Sequence, residues 1–200
     1  MRWKPAASGV FTVKSAYKWW RSERMDTRVA FPKFSQIWKL KISLKIKVFM
    51  WLLSFERLLT RTYRARWAPN DSILCPLCSA APENVHHLFC ACPVAMEFWG
   101  AVGIQTGLQH TFASIDDVWA AGKAMKRAAM NSLEATILQA INPAGAWTIW
   151  RTRNEVIFQG SRIYQENMQD MFKGCMRDWG VHVAKAEAVS FKDGVMRITG

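Results

Sequence analysis

Between residues 75 and 92 the chain reads C-x2-C-x8-H-x4-C, through Cys75, Cys78, His87 and Cys92. Four of its five cysteines and two of its four histidines fall inside this window. Thiolate and imidazole are the ligand types zinc prefers, four of them in a tetrahedron. Two cysteines with two residues between them bend one backbone loop around an ion. The His and the final Cys meet the same ion from one helical turn or a tight loop, and the eight-residue spacer lets the chain return. Asp71 and Ser72 before the cluster, and residues 80–84 inside it, are loop-forming. Spacing alone leaves two exchanges open, because His86 adjoins His87 and Cys90 lies two residues before Cys92. Leu88 and Phe89, an apolar anchor beside His87, favour the pair His87 and Cys92. Cys175 stands alone on an apolar helical stripe and reads as a core residue.

A site closed by four protein ligands is structural, since catalysis needs an open position for water or substrate. A three-ligand catalytic zinc would require a general base, and Glu83 is the nearest carboxylate. Neither an H-E-x-x-H nor an H-x-E…C-x-x-C arrangement accompanies it. The chain also has no glycine-rich phosphate loop, no G-x-S-x-G, and no Cys–His nucleophile pair outside the cluster. Asp116-Asp117 is its only Asp pair and reads as acids at a helix start. The sequence therefore predicts a chain that is not an enzyme. Five cysteines, an odd number, do not suggest a disulfide scaffold. The longest apolar run, residues 48–53, is too short for a membrane span, and no secretory signal is visible, so no membrane partner is expected.

Charge is distributed unevenly. Residues 1–70 carry 16 Lys/Arg and 3 Asp/Glu, a balance of +13, whereas residues 71–200 carry 11 and 12, a balance of −1. A basic N-terminal third points to a polyanion, most simply nucleic acid. Lys39, Lys41, Lys45, Lys47, Arg57, Arg61, Arg64 and Arg66 are the candidate phosphate contacts. Trp19, Trp20, Tyr63 and Trp67 are candidates for stacking on unpaired bases. Most of the eleven tryptophans must nevertheless lie in the core of a chain this size.

Periodicity predicts a mainly α fold: a short N-terminal extended segment, basic helices, a zinc knuckle, and a C-terminal helical region ending in a hairpin. Residues 9–13 are β-branched and read as extended, with Ser15 capping a helix that carries Tyr17 and Trp20. Residues 21–33 read as a linker. Ile46, Phe49, Met50 and Leu53 have helical spacing, and Thr60 can cap a second short helix from Arg61 to Trp67. Further helices are expected over 94–103, with Phe98 and Trp99 in the core, from Ser114 or Asp116 to Met130, and over 131–141. Asn142-Pro143 should break or kink the chain before a helix over 146–158. A long amphipathic helix over 163–188 carries Ile163, Met168, Met171, Phe172, Cys175 and Trp179. The Asp193-Gly194 turn suggests the terminal hairpin. Two regions are expected: a zinc-binding domain over 1–105, and a helical region over 106–200 packed on it.

The motifs of residues 9–17, Ile37-Trp38-Lys39-Leu40, residues 45–53 and Leu58-Leu59-Thr60-Arg61 precede the cluster in a fixed order. With Glu83-Asn84-Val85-His86-His87-Leu88-Phe89, Cys92-Pro93 and Trp99, they resemble the zinc-binding region that follows the reverse transcriptase in plant LINE-type (non-LTR) retroelements. Trp147-Thr148-Ile149-Trp150-Arg151-Thr152-Arg153-Asn154 resembles the helix after that region. The likeness runs over about residues 3–160. It implies Zn2+ as cofactor, His87 and Cys92 as the third and fourth ligands, and a non-catalytic accessory module of a retroelement polyprotein. The implied partners are RNA or DNA, single-stranded or structured, and a reverse transcriptase domain. A structural or protein-interaction remnant with no activity beyond zinc binding is the alternative. The chain departs from the family at Ser43-Leu44, where Pro-Pro or Pro-x is usual, and at Asn84, where Thr is usual. No compartment follows from the sequence, although a nucleic-acid partner is compatible with the nucleus.

Overall fold

The computed structural model describes residues 10–16, 19, 37–106, 112, 114, 117, 129 and 132–179. It divides the chain into two compact units, Met1–Trp38 and Lys39–Gly200. In the first unit the expected extended segment gives way to a helix at residue 13. The cap is Thr12, not Ser15. Ser15 N–H donates to Thr12 Oγ1 at 3.0 Å, and Thr12 N–H donates to Ser15 Oγ at 3.0 Å. Two hydroxyls thus satisfy each other's backbone donors, and the β-branched run is too short to compete with that closed pair. The linker over 21–33 and the C-terminal hairpin lie outside the described residues.

The second unit is built from helices. These are α1 (Leu44–Ser54), the single turn α2 (Arg61–Arg64), α3 (Pro93–Thr106), α4 (Ser132–Gln159) and α5 (Gln165–Trp179). A π-helical turn, His87–Ala91, precedes α3. Among the described residues there is no strand, only one isolated antiparallel bridge, Leu74 with Pro82. No helix among them is long and apolar enough to cross a membrane.

The periodic positions point inward as their spacing dictates. Ile46, Phe49, Met50 and Leu53 of α1 are buried. So are Ala95, Phe98, Trp99 and Val102 of α3, and Met168, Phe172, Cys175 and Met176 of α5. Each buried large side chain contributes about 1.5–3 kcal/mol of transfer free energy. Phe49 sits at the junction, with its ring 6.3 Å from Phe89, 5.1 Å from Trp147 and 6.3 Å from Trp150. Ser43 occupies the N-cap position of α1 in extended backbone, so that helix starts at Leu44 without the family's usual proline. At its other end, Glu56 N–H bonds the Leu53 carbonyl and Arg57 N–H the Leu52 carbonyl, with Glu56 at φ 53°. This pair of reverse bonds closes the last turn.

The break expected at Pro143 does not occur, because α4 runs through it. Proline removes one backbone donor, a cost of about 3 kcal/mol in an isolated helix. Ile141, Ala144, Ala146 and Ile149 around it are fully or nearly fully buried, and this packing carries the helix through the fault. The amphipathic α5 starts at Gln165, two residues later than predicted, and ends its described course at Trp179; the remainder of the predicted helix, 180–188, lies outside the described residues. The predicted 114–130 helix shows only its start. Ser114 N–H donates to Asp117 Oδ2 at 2.8 Å and Asp117 N–H donates to Ser114 Oγ at 3.3 Å, the reciprocal cap that the helix-start reading of this acid requires.

Gly145 lets α4 approach α3. A Cβ there would fall inside the indole of Trp99. That indole cannot yield, since its Nε1–H donates to the Phe89 carbonyl at 3.0 Å and its face meets Phe112 edge-on at 5.0 Å. Gly145→Ala should therefore lower stability by about 1–3 kcal/mol, despite the better helix propensity of alanine. A fall in the urea midpoint at unchanged slope checks this.

Candidate metal centre

The knuckle is assembled by short backbone bonds. Cys75 N–H donates to the Ala81 carbonyl at 2.7 Å and Glu83 N–H to the Ile73 carbonyl at 2.8 Å, on either side of the Leu74–Pro82 bridge. Ser79 N–H returns to the Cys75 carbonyl at 2.8 Å, turning Cys78 towards Cys75. Asn84 opens the next turn, with Oδ1 accepting from His87 N–H at 2.7 Å and its carbonyl from Leu88 N–H at 3.0 Å. Asparagine and threonine are both good N-caps, so the departure at Asn84 leaves this function in place.

The π-helical turn solves the spacing of the last two ligands. His87 and Cys92 are five positions apart. At about 100° per residue an α-helix would set them about 140° apart round its axis. The wider turn, closed by Cys92 N–H to the His87 carbonyl at 2.6 Å, brings them to one side. As a result the ligand atoms of Cys75, Cys78, His87 and Cys92 all lie within 4.8 Å of one another. Cys75 Sγ is 4.0 Å from Cys92 Sγ, and Cys78 Sγ is 3.3 Å from His87 Nε2. A tetrahedral zinc ion with bonds of about 2.0–2.3 Å sets edges of about 3.3–3.8 Å, so donors at these separations can close on one ion with small shifts. His86 is exposed and Cys90 is buried outside the set. The set that could hold an ion thus contains His87 and Cys92 and not His86 or Cys90.

The Cys75 thiol is pushed up, by its bond to Cys92 and by burial, while Cys92 is pulled down because Cys75 donates to it. Burial pushes Cys90 up to about 11, with Asp117 adding to the effect, so Cys90 stays a thiol. Burial pulls His87 down, which keeps its imidazole neutral and able to bind metal.

Glu83 has a role the spacing did not suggest. Its side chain is fully buried. Oε1 accepts from Arg153 Nε at 2.7 Å, and Oε2 accepts from Arg153 Nη2 at 2.9 Å and from the Arg61 backbone N–H at 2.6 Å. The Arg153 guanidinium also donates to the Leu59 carbonyl at 3.0 Å and lies 4.8 Å from the Trp150 ring centre. One carboxylate thus caps α2, where the Thr60 side chain makes no cap bond, and ties the knuckle to α4. Three hydrogen bonds and a buried ion pair commit this carboxylate to holding the fold together.

The eight predicted phosphate contacts fall into two groups. Lys39, Lys41, Lys45, Arg57, Arg64 and Arg66 are exposed, and Lys47 and Arg61 are half-buried. Arg61 Nη1 donates to the Leu74 carbonyl at 2.8 Å, bracing the knuckle, and Arg64 pairs with Asp71 at 2.8 Å. These two arginines, with Asp71, Ser72 and Ile157, line a cleft of about 150 Å3. Lys45 lies 4.9 Å over the Trp147 ring and Arg66 4.8 Å over that of Tyr63. Of the predicted stacking residues, Trp19 belongs to the first unit and is exposed, Trp67 is exposed, Tyr63 is half-buried and Trp20 lies outside the described residues.

Comparison with known proteins gives a consistent account of this centre. Residues 11–99 match the family model described as zinc-binding in reverse transcriptase. Over 197 residues the chain is 24% identical to an Arabidopsis thaliana protein named "Putative ribonuclease H protein", an alignment covering 98% of this chain and 30% of that relative. The chain thus spans less than a third of the relative's length. No solved structure matches it.

Proposed function

From the premise that residues 11–99 form a zinc-binding domain of the reverse-transcriptase type, we propose that the chain is a non-catalytic nucleic-acid-binding module. In this reading zinc, held by Cys75, Cys78, His87 and Cys92, locks the loop from 75 to 92 against α1 and α2. The observation that carries it is the segment from Lys39 to Trp67, which holds eight Lys/Arg against the single acid Glu56. Six of those cations are exposed. Phosphate neutralisation by such a segment needs no base-specific contact. A four-ligand ion and a Glu83 carboxylate committed to Arg153 support the absence of catalysis. The ribonuclease H name belongs to a protein more than three times as long, and we bring none of that activity to this chain. A plant retroelement origin, with a reverse transcriptase domain as neighbour, follows from the same resemblance.

The test is binding of a fluorescent oligonucleotide to the zinc-loaded chain across a salt series. Affinity should fall linearly on logarithmic axes, by about 0.7 in slope for each phosphate neutralised on a single strand. Replacing Lys39, Lys41 and Arg57 with glutamine together should flatten that slope by about 2. Absence of binding to any RNA or DNA at low salt would overturn the proposal. It would favour the alternative of a structural or protein-interaction remnant, to which the exposed apolar side chains of α1 otherwise lend weight.

A further inference from the structure

α1 is apolar on both faces. Its inner positions fill the core, yet Leu44, Val48, Trp51 and Phe55 follow one another at i, i+4, i+7 and i+11 and remain 67%, 40%, 39% and 42% exposed. At the C-terminal end of this stripe the Trp51 and Phe55 rings meet edge to face, with centres 5.2 Å apart. Twelve residues on, Tyr63 and Trp67 form a second edge-to-face pair at 5.3 Å, and Trp67 is 67% exposed. Arg57, two residues after Phe55, reaches the Tyr63 hydroxyl with Nη1 at 3.4 Å. Arg66 covers the Tyr63 ring from another side. Lys45 and Lys47 alternate with the apolar positions of the stripe, and Glu56 is the one acid between residues 39 and 67.

Two aromatic pairs with exposed rings, and arginines beside the second, are the ingredients of a single-strand platform. Unpaired bases stack on rings with little regard to sequence, while the cations follow the backbone. A duplex keeps its bases stacked on each other and offers phosphates and groove edges but no free base face. A partner protein helix would suit the apolar stripe, but eight cations to one acid around it favour a polyanion. We infer that the surface carrying Trp51, Phe55, Tyr63 and Trp67 binds single-stranded RNA or DNA by base stacking, with Arg57 and Arg66 as adjoining phosphate contacts. This deepens the nucleic-acid reading above and rests on it.

The experiment measures the zinc-loaded chain against an unstructured 20-nucleotide oligo-U, an oligo-dT of equal length and a blunt duplex, each across a salt series starting at low salt. Trp51→Leu and Trp67→Leu keep an apolar side chain but lose the ring, and unchanged zinc content and circular dichroism show that each still folds. Each should weaken single-strand binding about tenfold or more, leave the salt slope unchanged and leave duplex binding unmoved. Oligo-U and oligo-dT separate the two sources of a single strand, and loss on either supports the inference. Equal single-strand and duplex affinity, unaffected by either variant, would overturn it while leaving the electrostatic reading in place. No binding to any probe would overturn both. A dimer in sedimentation that Trp51→Leu dissociates, with single-strand affinity unchanged, would overturn it in favour of self-association.

Discussion

Stripping zinc from this chain with a chelator should unfold the knuckle and undock the helices packed on it, and Cys75→Ser or His87→Ala should do the same. The reason is the construction of the 75–92 segment, whose secondary structure is one isolated bridge and one short π-helical turn. Neither is stable alone, and a π-helical turn has poor intrinsic geometry. Structural zinc contributes about 10–16 kcal/mol to small zinc domains near neutral pH, comparable with the entire stability of a typical domain. The buried residues Leu88 and Phe89 are carried on this turn, with buried Val85 just before it, and Phe89 also supplies the carbonyl that holds Trp99. Loss of the ion should therefore reach α3 and α4 as a cooperative loss of helix signal. Zinc per chain, measured by atomic absorption, should fall from one to near zero in Cys75→Ser and His87→Ala. In His86→Ala and Cys90→Ala it should stay at one. Equal loss in all four variants would dissolve the ligand assignment. Acid should mimic the chelator, because three thiols release protons on binding, so apparent zinc affinity falls as pH falls. The lowered His87 pKa means that its imidazole competes for protons only at the acid end of that range.

Local chemistry made much of this visible beforehand. Ile46, Phe49, Met50 and Leu53 form the buried stripe their spacing announces, as do Phe98 and Trp99 in α3. The zinc quartet was legible because ligand types and loop lengths are local properties. What escaped depends on distant partners. Pro143 reads as a stop in any window of sequence, and only burial on its flanks lets α4 continue. Ser15 reads as a cap because serine suits one, but Thr12 three residues earlier completes the pair. Glu83 reads as the carboxylate nearest the cluster, since nothing within 20 residues announces Arg153. Its partner lies 70 positions away, in a helix whose arginine looks ordinary for a basic chain.

That distant pair supports the second large effect. Glu83 and Arg153 are 0% and 4% exposed at their side chains, with a 2.7 Å contact and a second at 2.9 Å. Desolvating two charges makes such a pair a weak source of net stability while both members are present. Removing one member leaves the other buried without its counter-charge, at a cost of about 3–5 kcal/mol. Glu83→Gln should show that cost in the denaturant midpoint, because an amide cannot accept from both Nε and Nη2 of Arg153. Arg153→Met should cost a similar amount, since Glu83 would keep only the Arg61 N–H. The double variant Glu83→Gln with Arg153→Met should be less destabilised than the sum of the two, by at least about 1 kcal/mol, because neither charge is then stranded. Zinc content should remain at one per chain in all three at saturating metal, as neither side chain is a ligand. A general base serving a zinc-bound water would behave differently, for its substitution would leave the midpoint unmoved. Strict additivity of the two single effects would show instead that the carboxylate and the guanidinium act separately, and that the knuckle is not latched to α4 through them.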